Sequence, residues 1–331
     1  MRRRDFVKGI FGSAIGRPLA ARAQQSEKLR RIGVLMANRE SDPQFQDYLD
    51  AFRQGLQKLG WLEGRNIKID TRWGALDDAE VRQQSVKELL GLSPDIILTQ
   101  NTPTTASMLQ QTHTVPVVFV IVTDPVGSGF VGSLSRPGGN ATGFTIMEPT
   151  TSGKWMELLK EIAPQIKRAG LLFNPKTAPF AEYWLRPFNA AANSLGVVPA
   201  SVKVGTESDL EAAFAAQAKD TNAGMVVMPD GFVNAYRAQI VTLASRYRVP
   251  TVYPWRFFTE LGGLMSYGFD QRDSFRTAAV YVDRILKGEK PGDLPVQAPT
   301  KYELVINRKA ARALNLNVPL SLIGRADDVI Q

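Results

Sequence analysis

After residue 30 the chain alternates between short apolar runs of strand length and longer segments with apolar residues at helical spacing. The first run is 32–36. The next segment begins at Asp42-Pro43, an N-cap with a first-turn proline, and stops at Gly60. Its apolar residues share one face of a helix, namely Phe45, Tyr48, Leu49, Phe52, Leu56 and Leu59. The pattern predicts a strand followed by an amphipathic helix.

The same alternation continues along most of the chain. Strands are predicted at 96–99, 117–122, 171–173, 225–228, 251–253 and 264–267, and helices at 81–90, 154–162, 209–219 and 235–247. Ser208 and Glu211 are expected to form a capping box at the start of the helix at 209–219. Strands that alternate with helices indicate βαβ units, so the predicted fold class is α/β with mostly parallel sheets.

The pattern occurs twice. Arg31–Leu35 is matched by Arg168–Leu172, and Val115-Pro116 is matched by Val249-Pro250, both displaced by about 135 positions. A chain of 331 residues with 44% hydrophobic residues can also bury the cores of two domains. The repeat therefore predicts two similar, doubly wound parallel-sheet lobes.

The two lobes are expected to be joined by a hinge. The predicted boundaries are 31–147 with about 269–295 for lobe 1, and 148–268 with about 296–331 for lobe 2. A helix at 273–286 is expected to return to lobe 1. The tract 302–306 has the pattern of an added strand, and the pattern alone leaves its lobe open.

Distinctive side chains follow the predicted strands. Doubly wound sheets bind ligands outside the carboxyl ends of their strands, so these residues form a candidate ligand cleft. In lobe 1 the candidates are Asn38, Gln100, Asn101, Thr102, Thr123 and Asp124. In lobe 2 they are Asn174, Phe180, Asp230, Phe232, Trp255, Arg256, Tyr267 and Gly268. Any one of the Asn, Thr, Asp and Gly residues is equally explained as a turn residue.

The residue types in this set indicate the chemistry of the ligand. Aspartate suits an ammonium or hydroxyl donor, and Arg256 could hold a carboxylate bidentately. Helix N-termini favour an anionic group, while Phe180, Phe232 and Trp255 could stack on a planar or apolar body. We expect a carboxylate-bearing ligand with an aromatic or aliphatic body, of which an amino acid is one example.

The N-terminus has the three parts of an export signal. A charged segment, MRRRDFVK, precedes a weakly apolar run at 9–20 and the small-x-small sequence Ala21-Arg22-Ala23. Arg3-Arg4 with Phe6 and Lys8 matches the twin-arginine pattern, which the weak apolar run favours over general export. Residues 1–23 are thus predicted to be cleaved near Ala23, leaving a periplasmic protein. The alternative is a basic tail that binds an acidic partner.

The predicted signal also accounts for most of the positive charge. The chain has 40 Lys and Arg against 32 Asp and Glu, and its net charge is +8. Residues 1–23 carry six of the bases and one of the acids, so the remaining chain is nearly balanced. Because no basic cluster remains beyond Arg30-Arg31, nucleic acid is not an expected partner.

Reactive and metal-binding side chains are scarce. The sequence has no cysteine, which excludes disulfides, thiolate nucleophiles and a lipid anchor on an N-terminal cysteine. Its one histidine, His113, is expected in a solvated loop, and a single histidine cannot build a histidine-rich metal site. No catalytic residue, metal site or cofactor is predicted.

The segment 116–143, PVVFVIVTDPVGSGFVGSLSRPGGNATG, strongly resembles the TrpX-like family of ABC-transporter substrate-binding proteins. The resemblance extends to Phe173–Pro175, Gly263–Gly268 and Ile285–Asn307, and so covers most of the chain. It implies a type I periplasmic-binding-protein fold, closure of two lobes on a small molecule, and delivery to a permease of the inner membrane. We expect the protein to be a monomer that docks transiently on the permease.

Site residues that the resemblance implies are Asn101, Thr102, Thr123, Asp124, Asp230, Tyr267 and Gly268. Some members of the family resemble binders of aromatic amino acids. Positions near the pocket edge, such as 229–232 and 253–256, vary across the family, so the ligand does not follow from the resemblance.

An exported dinucleotide-dependent oxidoreductase is the alternative. The segment 127–132 fits G-x-G-x-x-G and follows a predicted strand. However, Arg136-Pro137-Gly138 interrupts the helix that the fingerprint needs, and Asp124 would lie where a pyrophosphate must bind. A carboxylate pair of Asp124 and Asp230 would be a glycosidase-like arrangement, but acids on two mobile lobes hold catalytic geometry poorly. The sequence favours binding over catalysis.

Overall fold

A computed structural model describes residues 29–73 and 78–331. The predicted export signal at 1–23 lies outside the described residues. Within the described ranges, no helix combines the length and the apolar character that crossing a membrane requires.

Lobe 1 is built on a five-stranded parallel sheet in the order β2-β1-β3-β4-β5. Its strands are β1 (Arg30–Leu35), β2 (Ile67–Arg72), β3 (Ile96–Gln100), β4 (Val117–Val122) and β5 (Ala141–Thr145). Its helices are α1 (Pro43–Lys58), α2 (Ala79–Gly91) and α3 (Thr102–Leu109).

Lobe 2 is built on a seven-stranded sheet in the order β12-β11-β10-β9-β8-β6-β7. Its strands are β6 (Arg168–Phe173), β7 (Val198–Lys203), β8 (Ala223–Val227), β9 (Thr251–Tyr253), β10 (Met265–Gly268), β11 (Glu303–Asn307) and β12 (Asp328–Ile330). The helices after β5 in chain order are α4 (Thr151–Ile162), α5 (Ala181–Ser194), α6 (Glu207–Gln217), α7 (Gly231–Ala235), α8 (Arg237–Arg246), α9 (Arg256–Glu260), α10 (Gln271–Leu286), α11 (Arg308–Ala313) and α12 (Leu320–Ile323).

The two sheets share one strand order. If β6 to β10 are renumbered from one, their order is that of β2-β1-β3-β4-β5, and every neighbouring pair is parallel. Lobe 2 adds β11, antiparallel to β10, and β12 beyond it. The predicted α/β fold with two mostly parallel, doubly wound sheets is confirmed.

Helix α1 shows how the polar and apolar pattern places an element. The side chain of Asp42 caps it by accepting a hydrogen bond from the backbone N–H of Gln44 at 3.1 Å. The chain leaves the helix through Gly60, which has φ 90°. The apolar face is buried against α10, with the Tyr48 ring stacked on Phe275 at a centroid distance of 5.6 Å. The helix, its cap and its stop are where the sequence predicts them.

Helix α10 follows β10 of lobe 2 in the chain but packs on α1 of lobe 1. The two helices approach closely at Gly55, where an added Cβ would lie 2.7 Å from the Cβ of Ala279. The chain therefore passes between the lobes after β5, after β10 and again before β11.

One predicted local motif is wrong. The capping box of α6 is formed by Thr206, whose hydroxyl accepts from the N–H of Asp209, and by the Asp209 carboxylate, which accepts from the N–H of Thr206. Ser208 and Glu211 match the motif by spacing, but the helix begins at Glu207, two residues earlier than the pattern indicates.

Candidate ligand-binding site

A cleft of about 520 Å³, including the part open to solvent, lies between the carboxyl ends of the strands of the two lobes. From lobe 1 it is lined by Asn38, Gln100, Asn101, Thr102, Pro103, Ile121, Thr123, Ile146 and Gln271. From lobe 2 it is lined by Thr177, Phe180, Pro229, Asp230, Gly231, Asn234 and Trp255.

Hydrogen bonds between strand ends hold the lobe 1 wall in place. The Gln100 side chain accepts from the N–H of Ala37 at 3.1 Å, which ties the end of β3 to the end of β1. The Thr102 hydroxyl accepts from the N–H of Thr123 at 3.0 Å, which ties the start of α3 to the end of β4. These polar side chains are fixed by the backbone and not free to rotate.

Two residues of this wall have left-handed backbone conformations. Asn101, at φ 71°, caps α3 by accepting from the N–H of Thr104 at 3.1 Å. Ile121, at φ 59°, lies where the pairing of β4 with β5 shifts register. A β-branched residue rarely adopts this conformation, and a bulge re-aims the side chains beside it. Both Ile121 and Thr123 line the cleft.

Asp230 organises the lobe 2 wall. Its carboxylate accepts from the N–H of Val233 at 2.8 Å, from the N–H of Asn174 at 2.9 Å and from the hydroxyl of Thr177 at 3.1 Å. It thereby caps α7 and joins the end of β8 to the loop after β6. Burial raises the pKa of Asp230 from 3.8 to about 6, against these hydrogen bonds, which lower it.

The cleft is polar but nearly uncharged. Of the described residues that line it, only Asp230 has an ionisable side chain. Phe180 and Trp255 supply aromatic surface, and Ile121 and Ile146 supply aliphatic surface. The arrangement suits a small molecule with an apolar body and a few hydrogen-bonding groups.

Eight of the predicted site residues line this cleft: Asn38, Gln100, Asn101, Thr102, Thr123, Phe180, Asp230 and Trp255. The Arg256 guanidinium does not. It forms ion pairs with Glu260 at 2.8 Å, with Glu303 at 3.4 Å and with Asp328, which raise its pKa. The expectation that Arg256 holds a ligand carboxylate is replaced by a structural role at the start of α9.

Five other predicted residues also lie outside the lining. Asp124 is exposed and caps a turn by accepting from the N–H of Gly127 at 2.8 Å, and Asn174 caps the turn at Lys176. The Phe232 ring packs in the lobe core, with its centroid 4.6 Å from that of Tyr236. Tyr267 stacks on Tyr302 at 5.5 Å. An added Cβ at Gly268 would meet the carbonyl of Pro254, so this glycine permits a close strand approach.

Sequence reasoning missed several lining residues, chiefly Thr177, Asn234 and Gln271. Gln271 is the first residue of α10, and its strand-end position was hidden by the helix pattern that begins there. Asn234 lies inside the five-residue α7, which is too short to show periodicity. Only their closeness to predicted strand ends could have pointed to them.

The lobes also contact each other through an ion pair beside the cleft. The Arg237 guanidinium donates to the two carboxylate oxygens of Asp42 at 2.6 and 2.8 Å, with side chains 18% and 15% exposed. Arg237 also donates to the carbonyl of Asn234 at 2.8 Å and lies over the Phe257 ring. The structure therefore has its lobes in contact across the cleft.

The segment of the dinucleotide fingerprint, 127–132, lies in a loop that follows β4, and no helix begins within it. A phosphate-binding helix N-terminus of the kind that the alternative function needs is thus not formed by these described residues.

Proteins similar to this chain include proteins that bind small molecules. A model of the family described as ABC transporter substrate binding protein matches residues 35–330. The Tyrosine-binding protein of Clostridioides difficile strain R20291 is 25% identical over 297 residues, which cover 88% of this chain and 82% of that protein.

Two solved structures are similar over their whole length. A conserved domain protein from Vibrio cholerae is 28% identical, with a TM-score of 0.83, covering 91% of this chain and 100% of its own. An ABC domain from Streptococcus pneumoniae, solved in complex with L-Trp, is 25% identical, also with a TM-score of 0.83, covering 92% of this chain and 100% of its own.

Proposed function

The chain belongs to the ABC transporter substrate-binding protein family, and we propose that it binds an amino acid with an aromatic or aliphatic side chain between its two lobes. The resemblance drawn from the sequence is confirmed by the family match, and the family consists of binding proteins and not of enzymes. Delivery of the ligand to a permease in the inner membrane, in the import direction, is part of the proposal.

The position and lining of the cleft support the proposed ligand class. It lies at the strand ends of two duplicated lobes, where this fold class binds ligands. Phe180 and Trp255 offer aromatic faces, while Asn38, Thr102 and Asn234 offer neutral donors and acceptors. A free amino acid presents both an apolar body and two polar groups that such a lining could hold.

Two relatives support the ligand class. One is described as a tyrosine-binding protein, and another was solved with L-Trp. Both ligands have an aromatic body next to an ammonium and a carboxylate. We infer that this chain takes a ligand of the same class.

Proteins of this family work outside the cytoplasm. We propose that this one is periplasmic, that residues 1–23 form a twin-arginine signal cleaved near Ala23, and that the remaining protein is a monomer that docks transiently on its permease. Mass spectrometry of protein released from the periplasm tests the cleavage site, and an N-terminus at Met1 would contradict it. The molar mass of the purified protein, measured by light scattering, tests whether it is a monomer.

Calorimetric titration of the purified protein with the proteinogenic L-amino acids tests the ligand. We expect heat from at least one aromatic or aliphatic amino acid, and no heat from glucose, ribose or nucleosides as controls. Heat only from sugars or nucleosides would contradict the proposal.

A further inference from the structure

Three buried polar atoms on residues that line the cleft have no hydrogen-bond partner. They are the indole N–H of Trp255, the amide nitrogen of Gln271 and the amide oxygen of Asn234. Trp255 is 2% exposed and Gln271 is 3% exposed. Buried polar groups are rarely left unpaired because each forfeits its hydrogen bonds to water. Because all three unpaired atoms belong to residues that line one cleft, a ligand bound in that cleft could pair with all of them.

The two donors cannot easily turn away to find partners. Trp255 lies directly before α9, and its ring packs edge-on against Phe269 with centroids 5.2 Å apart. Gln271 opens α10 directly after its N-cap, Asp270. The first residue comes from lobe 2 and the second from the helix that packs on lobe 1. One ligand group that accepted from both would join the lobes.

The neighbouring hollow does not provide that group. Trp255 and Gln271 also border a second space, but its lining has four carboxylates, Asp47, Glu260, Asp270 and Glu303, against the two guanidinium groups of Arg256 and Arg272. An anion would be repelled by this lining. The cleft has only the carboxyl group of Asp230, and that group already accepts three hydrogen bonds from its own lobe.

We propose that the N–H groups of Trp255 and Gln271 bind the carboxylate of the ligand, and that the amide oxygen of Asn234 accepts from its ammonium. This assignment rests on the proposed function. It departs from the sequence prediction, in which Arg256 held the carboxylate and an aspartate held the ammonium. The carboxylate is bound by neutral donors, and because these come from both lobes, binding it favours the closed form.

Trp255→Phe tests the first donor, since it removes the N–H and keeps an aromatic ring. The matched control is Trp184→Phe. The Trp184 indole N–H is likewise buried and unpaired, but the residue stacks on Trp155 inside lobe 2 and does not line the cleft. For the amino acid that wild type binds most tightly, we expect Trp255→Phe to raise the Kd roughly 10-fold or more and Trp184→Phe to leave it within about 2-fold.

Gln271→Met removes the second donor at similar size, and Gln271→Glu places a negative charge against the ligand carboxylate. We expect a loss of affinity of the same order for Gln271→Met and loss of measurable binding for Gln271→Glu. Thermal unfolding without ligand separates binding from stability. Because Trp255→Phe deletes an unpaired donor, its Tm without ligand should match or exceed the Tm of wild type.

Decarboxylated analogues, tyramine and tryptamine, complete the test. They should bind wild type weakly, and Trp255→Phe should bind them no worse than wild type does. If Trp255→Phe and Gln271→Met keep the wild-type Kd for the amino acid, or if Trp184→Phe weakens binding equally, the assignment is wrong while the proposed function stands. If wild type binds no amino acid, the proposed function fails, and the assignment fails with it.

Discussion

The ion pair between Asp42 and Arg237 joins the lobes, so breaking it should shift the balance between open and closed forms. We choose Arg237→Gln as the perturbation. Truncating Asp42 would also remove the N-cap of α1, because its carboxylate accepts from the N–H of Gln44. Asp42→Asn is the companion variant, since asparagine retains a capping oxygen but loses the charge.

The size of the effect follows from the geometry. Exposed ion pairs contribute about 0.2–1 kcal/mol, and breaking a buried pair costs about 3–5 kcal/mol. This pair is bidentate, with side chains 18% and 15% exposed, and lies between these limits. In the open form Arg237 can keep its bond to the Asn234 carbonyl and its place over Phe257. We therefore expect closure to weaken by about 1–2 kcal/mol, a factor of roughly 5–30.

The assay is ligand affinity with dissociation rate, measured by calorimetry and stopped-flow fluorescence. We expect the Kd of Arg237→Gln to rise by roughly 5–30-fold, mostly through faster dissociation, because the competent closed form is less populated. The control is Arg246→Gln on the same helix, whose ion pair with Glu211 stays within lobe 2 and is exposed. It should leave the Kd unchanged.

Two results would refute this reasoning. One is a wild-type Kd and dissociation rate in Arg237→Gln. The other is additivity in the double variant with Asp42→Asn, since two variants that weaken closure by breaking the same ion pair must give a double variant little worse than the stronger single one.

Three further predictions concern stability. Because burial raises the pKa of Asp230 to about 6, the folded state holds a proton that the unfolded state loses above 3.8. The free energy of unfolding should therefore fall by about 2 kcal/mol as the pH rises from 4 to 6. Urea denaturation should show this fall in wild type and not in Asp230→Asn. Arg256→Gln should lower the Tm and leave the ligand Kd within about 2-fold, since its partners are protein carboxylates; a large rise in Kd would place it in the site. Gly55→Ala should cost about 1–3 kcal/mol, because its Cβ would meet Ala279 at 2.7 Å; an unchanged Tm would contradict that.

Several strongly patterned elements could be predicted from the sequence, although the amphipathic helix α5 was missed, and the weakly patterned elements could not be predicted. The strand at 117–122 is wholly apolar because it lies inside the sheet, and α1 has both a cap and an apolar face. Strands β2 (Ile67–Arg72) and β7 (Val198–Lys203) were missed because they are sheet edges with mostly polar or exposed residues. Helix α3 was missed because its first turn reads as a proline–threonine loop.

Some site residues could be predicted from the sequence and others could not. Residues directly at strand ends, such as Asn101 and Asp230, could be placed because the fold class fixes where strand ends meet. Arg256 also follows a strand, but its partners Glu303 and Asp328 are 47 and 72 residues away in the chain. No local pattern reveals an ion pair at such a separation. For that reason the sequence does not predict whether a side chain at a strand end points into the cleft or toward a distant partner.

The three passages of the chain between the lobes, described with α10, have a mechanical consequence. A single connecting segment would let two bodies bend, twist and slide, whereas three connecting segments restrict how one lobe can move relative to the other. The opening and closing proposed for this protein would then be restricted to few paths. In the proposed cycle, Asp42 would meet Arg237 each time the lobes close, so every ligand would contact the same two walls.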